Sequence, residues 1–419
     1  MRKRASFAVV LAVLALMTAA CAGSTPHDAE TNELVWAVGG TDAQPGRAHH
    51  DTVRFWNEAH PDGPKVRLET LRMRTNETRQ QLSLELGAQS DAFDILGLDV
   101  IWTGEFAENG WLESLEDIRP RIEGVSLDGP FESGTWGGEL WAAPYMSNAA
   151  LLYYRTDLVD HPPKTWQEAM EVGRRAAEKA GIEPFVGQGA PYEGMVVNYL
   201  EYLWGAGGDL FSKDMSEVLY GDGPALQALN FMRTALESGF YAPGFNTMAE
   251  EEASSVFQSG NAVFMRNWPS RYALLKETGP INSSEVADRF GIAPLPTFTG
   301  KGTVSALGGI NLAVSAFSKN VEAAKEFVVF AATNANVQRN LGKRSVPPAM
   351  ASVYEDLRDD PVMAQLAMIL REARPRPPVP EWQAISDEIQ QQVFPAYNGE
   401  RDPQQAVDAI RMFLESIVE

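Results

Sequence analysis

Cysteine is almost missing from this chain: Cys21 is the only one in 419 residues. That excludes an internal disulfide and any metal site built on clustered thiolates. Histidine is scarce too, and the five, His27, His49, His50, His60 and His161, show no metal-ligand spacing such as HExxH. Basic residues fall well short of acidic ones, 35 against 56, for a formal charge of −21. A surface of that sign repels phosphate backbones, which argues against nucleic-acid binding without selecting another ligand. No apolar run approaches the roughly 20 residues needed to cross a hydrocarbon core; the run at 7–17 has 11. G-x-S-x-G, Walker and EF-hand motifs are missing, and "GTWGGE" reads as a turn. The 35 glycines and 26 prolines are distributed, so collagen, repeats and disorder find no support.

The first twenty residues, "MRKRASFAVVLAVLALMTAA", combine a basic start, an apolar run and small residues. That composition predicts a secretory signal at 1–20. Cys21 follows it directly and precedes the polar "AGSTPHDAETN". The arrangement resembles the lipobox of bacterial lipoproteins, with Thr18 where that motif prefers Leu. It implies a lipidated Cys21, a tether over 21–32 and attachment to the outer face of the cell membrane, where each buried acyl methylene contributes about 0.8 kcal/mol. Losing Arg2, Lys3 and Arg4 with the signal takes the formal charge from −21 to −24.

A chain this long exceeds what one core organises, about 250–300 residues, so two lobes are expected. "NELVWAVGG", "KVRLETL" and "AFDILGLDV" read as strands, with helices predicted over 48–60 and 76–87 between them. The alternation predicts an α/β class with a parallel sheet, whose ligands bind beyond the carboxyl ends of the strands. In "PPKTWQEAM", Thr165 and Glu168 form a capping box that starts a helix. "GDGPALQALNFMRTALESG" is a helix begun by Pro and stopped by Gly.

Five segments stand in an order that carries a resemblance: "GELWAAPYMSNAALLYYRTDL", "PPKTWQEA", "FQSGNAVFMRNWP", "APLP…G…LGGINLAVS" and "SKNVEAAKEF". From about residue 33 onward the chain resembles the family 1 extracellular solute-binding proteins of bacterial ABC importers. "DILGLDVIWTGEFAENGWL" and "RPRPPVPEWQAIS" are similar to the trehalose and maltose branch, that of the mycobacterial trehalose-binding lipoproteins. The resemblance implies a two-lobed periplasmic-binding-protein-like fold with a ligand cleft and hinge crossings. Lobe one is then expected at 33–144 plus 290–318 and lobe two at 149–289 plus 322–419. The crossings fall at "APYMS", at "GIAPLP" and near "SAFSKN".

A sugar needs flat rings for its C–H faces and multidentate polar groups for its hydroxyl rim. Asp99, at the end of a strand, is a candidate ligand contact; it could equally cap the next helix. Asn148 stands at the first crossing, where the family offers a polar side chain, although a turn would also use it. Tyr145, Tyr153 and Tyr154 lie nearby, and at least one of the last two is expected to be packing only. The resemblance makes Trp268 a stacking platform and points one of Glu250, Glu251 and Glu252, here Glu250, at the sugar. Acids at a helix start are favourable without any ligand. Gly309 and Ile310 are expected to present main-chain groups, with a bulge as the alternative. Arg376 matches the family's Arg-Pro pair and would clamp hydroxyls; Trp382 would add a second plate. Asp42 and Gln44 complete the set from the loop after the first strand.

The implied function is capture of a disaccharide by hinge closure and delivery to permease subunits with their ATPase. Trehalose is expected first, then maltose or a short α-glucan, with no cofactor, no metal, no nucleic acid and a monomeric chain. The rival is an extracellular glycoside hydrolase using paired carboxylates. A receptor that cut its cargo would deliver the wrong molecule, so no catalytic residue is expected.

Overall fold

The computed structural model describes residues 33–212, 215–278, 283–377 and 379–418; the expected signal, tether and lipidated Cys21 lie outside the described residues. Eleven strands occur among them: β1 (Glu33–Val38), β2 (Lys65–Thr70), β3 (Ile95–Asp99), β4 (Thr135–Trp136), β5 (Glu139–Leu140), β6 (Ala142–Ala149), β7 (Leu151–Arg155), β8 (Glu183–Val186), β9 (Ala262–Asn267), β10 (Phe290–Ala293) and β11 (Leu307–Val314). One sheet has the order β2-β1-β3-β11-β6 and a second the order β10-β7-β9-β8, while β4 and β5 form a short hairpin. Each large sheet with its helices is called a body below.

The apolar strand runs enter the middle of these sheets. Leu34, Trp36 and Val38 of β1 and Ile95, Leu96 and Leu98 of β3 are all fully buried, as strands covered on both faces require. β1 and β3 run parallel, with Trp36 opposite Ile95. The parallel sheet expected from the sequence is mixed, because β11 runs antiparallel to both β3 and β6. The reason is the route of the chain: β6 leads out of the first sheet, and β11 brings the chain back from the second. The second sheet is mixed as well, with β8 and β9 parallel and β7 antiparallel to β9.

Helices follow the local signals. Thr165 caps Trp166–Ala180 by accepting from the Glu168 N–H at 3.1 Å. The Glu168 carboxylate accepts from Lys164 N–H rather than from the cap residue itself. Gly181, at φ 72°, ends that helix in the left-handed region that glycine tolerates.

Only Ala150 separates β6 from β7, so the chain passes from one sheet to the other within a residue. Ala150 N–H donates to Ser305 Oγ at 2.6 Å. Ser305 O in turn accepts from Arg374 N–H, and Arg374 O from Leu307 N–H. The first two crossings, at 150 and 305, are thus tied to each other and to the loop that follows helix Pro361–Glu372 of the second body.

Two elements depart from the expected segmentation. Residues 290–293, expected in lobe one, form β10 and pair with β7 in the second sheet, Ile292 opposite Tyr153. Phe290 there packs against Tyr153 and Tyr272, and burial of those rings decides the partner. Helices Val321–Thr333 and Ala335–Lys343 fall within the range expected for lobe two. Their buried Phe327, Val328, Val337 and Leu341 instead share a core with Trp36, Trp56 and Tyr145 of the first body. Helix Pro361–Glu372 returns to the second body, where Val362, Met363, Leu366 and Ile369 pack with Tyr153 and Phe257.

Candidate functional site

A cavity of about 270 Å³ lies between the two bodies, close to the lower end of the roughly 300–1,000 Å³ usual for ligand pockets. From the first body it is lined by Asp42, His49, Arg74, Asp99, Met146, Asn148 and Gly308 to Ile310. The second body supplies Glu193, Glu250 to Glu252, Trp268, Ser270 and Arg271, and the loop after helix Pro361–Glu372 supplies Arg376.

Trp268 follows β9 directly, and its ring is held from several sides. The Arg266 guanidinium lies 4.3 Å from the ring centroid, a cation–π contact at a desolvated position. Arg266 is itself fixed by Glu201 (3.0 and 2.7 Å) and Gln188 (3.0 Å). Trp268 Nε1–H donates to Glu250 Oε1 at 3.3 Å, and Tyr192 O–H donates to Glu250 Oε2 at 2.6 Å. Tyr153 O–H donates to Trp268 O at 2.8 Å. Gly308 lies beside the ring, where a Cβ would meet Asn148 Cβ tightly at 3.3 Å and the indole at an ordinary 3.7 Å.

Asp99 ends β3 opposite Ile310 of β11. Arg376 Nη2–H donates to Asp99 Oδ1 at 3.2 Å, and Arg376 Nη1–H to Glu193 Oε1 at 2.7 Å. Glu193 also accepts from Trp382 Nε1–H and Ser386 O–H. Burial pushes both carboxyls above the usual range, while the shared guanidinium pulls them down. One buried cation therefore joins an acid from each body.

Burial pushes the Asp42 carboxyl up to about 6, against the pull of Arg271, Arg47 and Arg344 and with a further push from Glu251. His49 is pushed down to about 3 by burial and then by His50, so its ring is neutral in the cavity wall at ordinary pH. Asn148 Oδ1 and Arg376 Nε are buried without a hydrogen-bond partner among the described residues. Both residues line the cavity, but neither of these two atoms is accessible to water in this arrangement.

Eight of the ten expected contacts line this cavity: Asp42, Asp99, Asn148, Glu250, Trp268, Gly309, Ile310 and Arg376. The bulge alternative for the glycine pair is also realised, with a register shift between Ile310 and Asn311. Gln44 does not reach the cavity; its amide donates to Met73 Sδ, and Met73 lines the wall. Trp382 is 1% exposed and packs in the core, so it is no second plate; its indole N–H orients Glu193. Arg376 is buried rather than solvated. Tyr145 and Tyr153 are fully buried, and Tyr145 hydrogen-bonds Thr52. The sequence reading missed Glu193, Arg266, Arg74, Arg271 and His49. Arg266 carried a visible signal, a charge inside the apolar strand "AVFMRN". Glu193 carried none, because an acid at a helix start looks the same with or without a role.

The family model described as bacterial extracellular solute-binding protein matches residues 32–338. A probable ABC transporter-binding protein of Deinococcus radiodurans is 33% identical over 70% of this chain and 71% of its own length. The galactooligosaccharide-binding protein of Bacillus subtilis is 24% identical over 97% of this chain and 96% of its own. A maltose-bound T. maritima structure superposes with a TM-score of 0.85 at 32% identity, covering 92% of this chain and 99% of that one.

Proposed function

The chain belongs to the bacterial extracellular solute-binding proteins, a family of binding proteins and not of enzymes, and from that premise we propose that it captures a disaccharide for an ABC importer. The observation that carries the reading is the indole of Trp268, backed by Arg266 and walling a cavity that Asn148, Arg376 and the acids Asp42, Asp99 and Glu250 also line. A flat apolar plate beside hydrogen-bond donors and acceptors complements a pyranose, which has a C–H face and a hydroxyl rim. Asp42, Asp99 and Glu250 would accept from sugar hydroxyls, and the backbone at Gly309 and Ile310 would approach the ring edge.

Maltose is supported by the T. maritima relative, and trehalose by the resemblance of "DILGLDVIWTGEFAENGWL" and "RPRPPVPEWQAIS". The two bodies would close on the sugar, because contacts made to both at once stabilise only the closed arrangement. A micromolar affinity corresponds to about −8 kcal/mol, within reach of one stacked ring and several charge-assisted hydrogen bonds. The closed protein would then dock on permease subunits with their ATPase, held near them by a lipid on Cys21.

Thermal shift against a panel of disaccharides tests the reading. Stabilisation by trehalose or maltose supports it, and no shift with any sugar overturns it. Prolonged incubation with the same sugars is expected to release no glucose; catalytic release would favour the hydrolase instead.

A further inference from the structure

An ion pair at the edge of the cavity joins the two bodies. Arg47 Nη1 meets Glu277 Oε1 at 3.0 Å, with the side chains 27% and 32% exposed. Arg47 precedes helix Ala48–Ala59, which packs on β2 of the first sheet. Glu277 follows helix Arg271–Leu275, whose Leu275 lies in the core of the second body. Both residues line a smaller cavity of about 110 Å³, which shares Asp42 and Ser270 with the main one. Arg74 and Glu252 also meet across the cleft, at 3.5 Å but with 43% and 50% exposure.

We propose that Arg47 and Glu277 form a closing latch that sets how long the bound solute is retained. The ligand part of this inference rests on the solute-binding reading; the latch itself does not. The two side chains are anchored on different bodies, so their attraction is available only when the bodies meet. An interaction confined to the closed state slows release and leaves encounter with the open state untouched. Partial burial shields the pair from salt better than it shields Arg74 and Glu252. Arg47 also faces Asp42 across the small cavity, so an effect of Arg47 through that carboxylate has to be separated from an effect through Glu277.

The test is stopped-flow tryptophan fluorescence of disaccharide release, with maltose and trehalose as probes, for Arg47→Met, Glu277→Gln and the double variant. Release is expected to speed up about two- to fivefold in each single variant, with little further change in the double variant and an unaltered association rate. Acceleration by Arg47→Met alone, additive effects in the double variant, or a slowed association rate would each overturn the latch. If neither sugar binds the unaltered protein, the sugar reading falls, and pulsed EPR distances between spin labels on the two bodies decide the latch. A smaller short-distance population in both single variants supports it, and identical populations overturn it.

Discussion

Trp268 depends on a residue that never needs to touch a ligand. Arg266 covers its ring and is itself buried against Glu201, so plate and support are separable by mutation. Trp268→Ala is expected to weaken disaccharide binding by about 10- to 100-fold while the fold persists; calorimetric titration beside a melting curve checks both halves. Arg266→Met should instead lower stability by about 3–5 kcal/mol, because Glu201 is left as an uncompensated buried charge, and urea unfolding reads that loss. Asp42 makes a pH-dependent statement. Its folded carboxyl titrates near 6 against an ordinary 3.8, so the folded state holds the proton more tightly. Stability is therefore lost as pH rises from about 4 through 6. Asp42→Asn is expected to exceed the parent in stability above pH 6, by up to about 3 kcal/mol, and to match it below pH 4. Unfolding curves at pH 4 and pH 8 would show this, and equal differences at both would contradict it. At this scale the strand end at Asp99 and the family resemblance, which singled out Asn148 and Trp268, pointed to residues that line the cavity. Trp382 misled because an indole at a helix start reads alike whether it faces a ligand or the core.

β11 is the element on which the site is assembled. It carries Gly308, Gly309 and Ile310 into the cavity while pairing with β3 on one side and β6 on the other. Gly309 has φ 143°, and a Cβ there would come within 2.3 Å of Met146 O. Gly309→Ala should accordingly cost at least about 1–3 kcal/mol, visible as a lower Tm. Gly308→Ala meets only ordinary to tight contacts with Asn148 and Trp268, so it should spare the fold and weaken sugar binding. Strands and helices were individually legible from their periodicity and caps. Their allocation was not: the apolar faces of Val321–Thr333 and Ala335–Lys343 show that each must pack, and say nothing of which sheet receives them. The antiparallel entry of β11 was hidden for the same reason, since strand direction is set by a partner more than two hundred residues earlier in the chain.

Among the described residues, two α/β bodies are joined by short crossings, and those at residues 150 and 305 are hydrogen-bonded to each other and to the loop at 374. Ion pairs span the two bodies at the cleft: Arg376 between Asp99 and Glu193, and Arg47 against Glu277. The family resemblance made two bodies around a cleft legible in the sequence, but not the third crossing, expected near 315–320 although helices 321–343 still pack in the first body. The central claim is that an intact disaccharide is held between the bodies against Trp268. A crystal structure of the protein grown with maltose or trehalose tests it most directly. The account predicts one uncleaved sugar with a ring face on the Trp268 indole and hydroxyls on Asn148 and Arg376; an empty cleft at saturating sugar, or a sugar seated elsewhere, would contradict it.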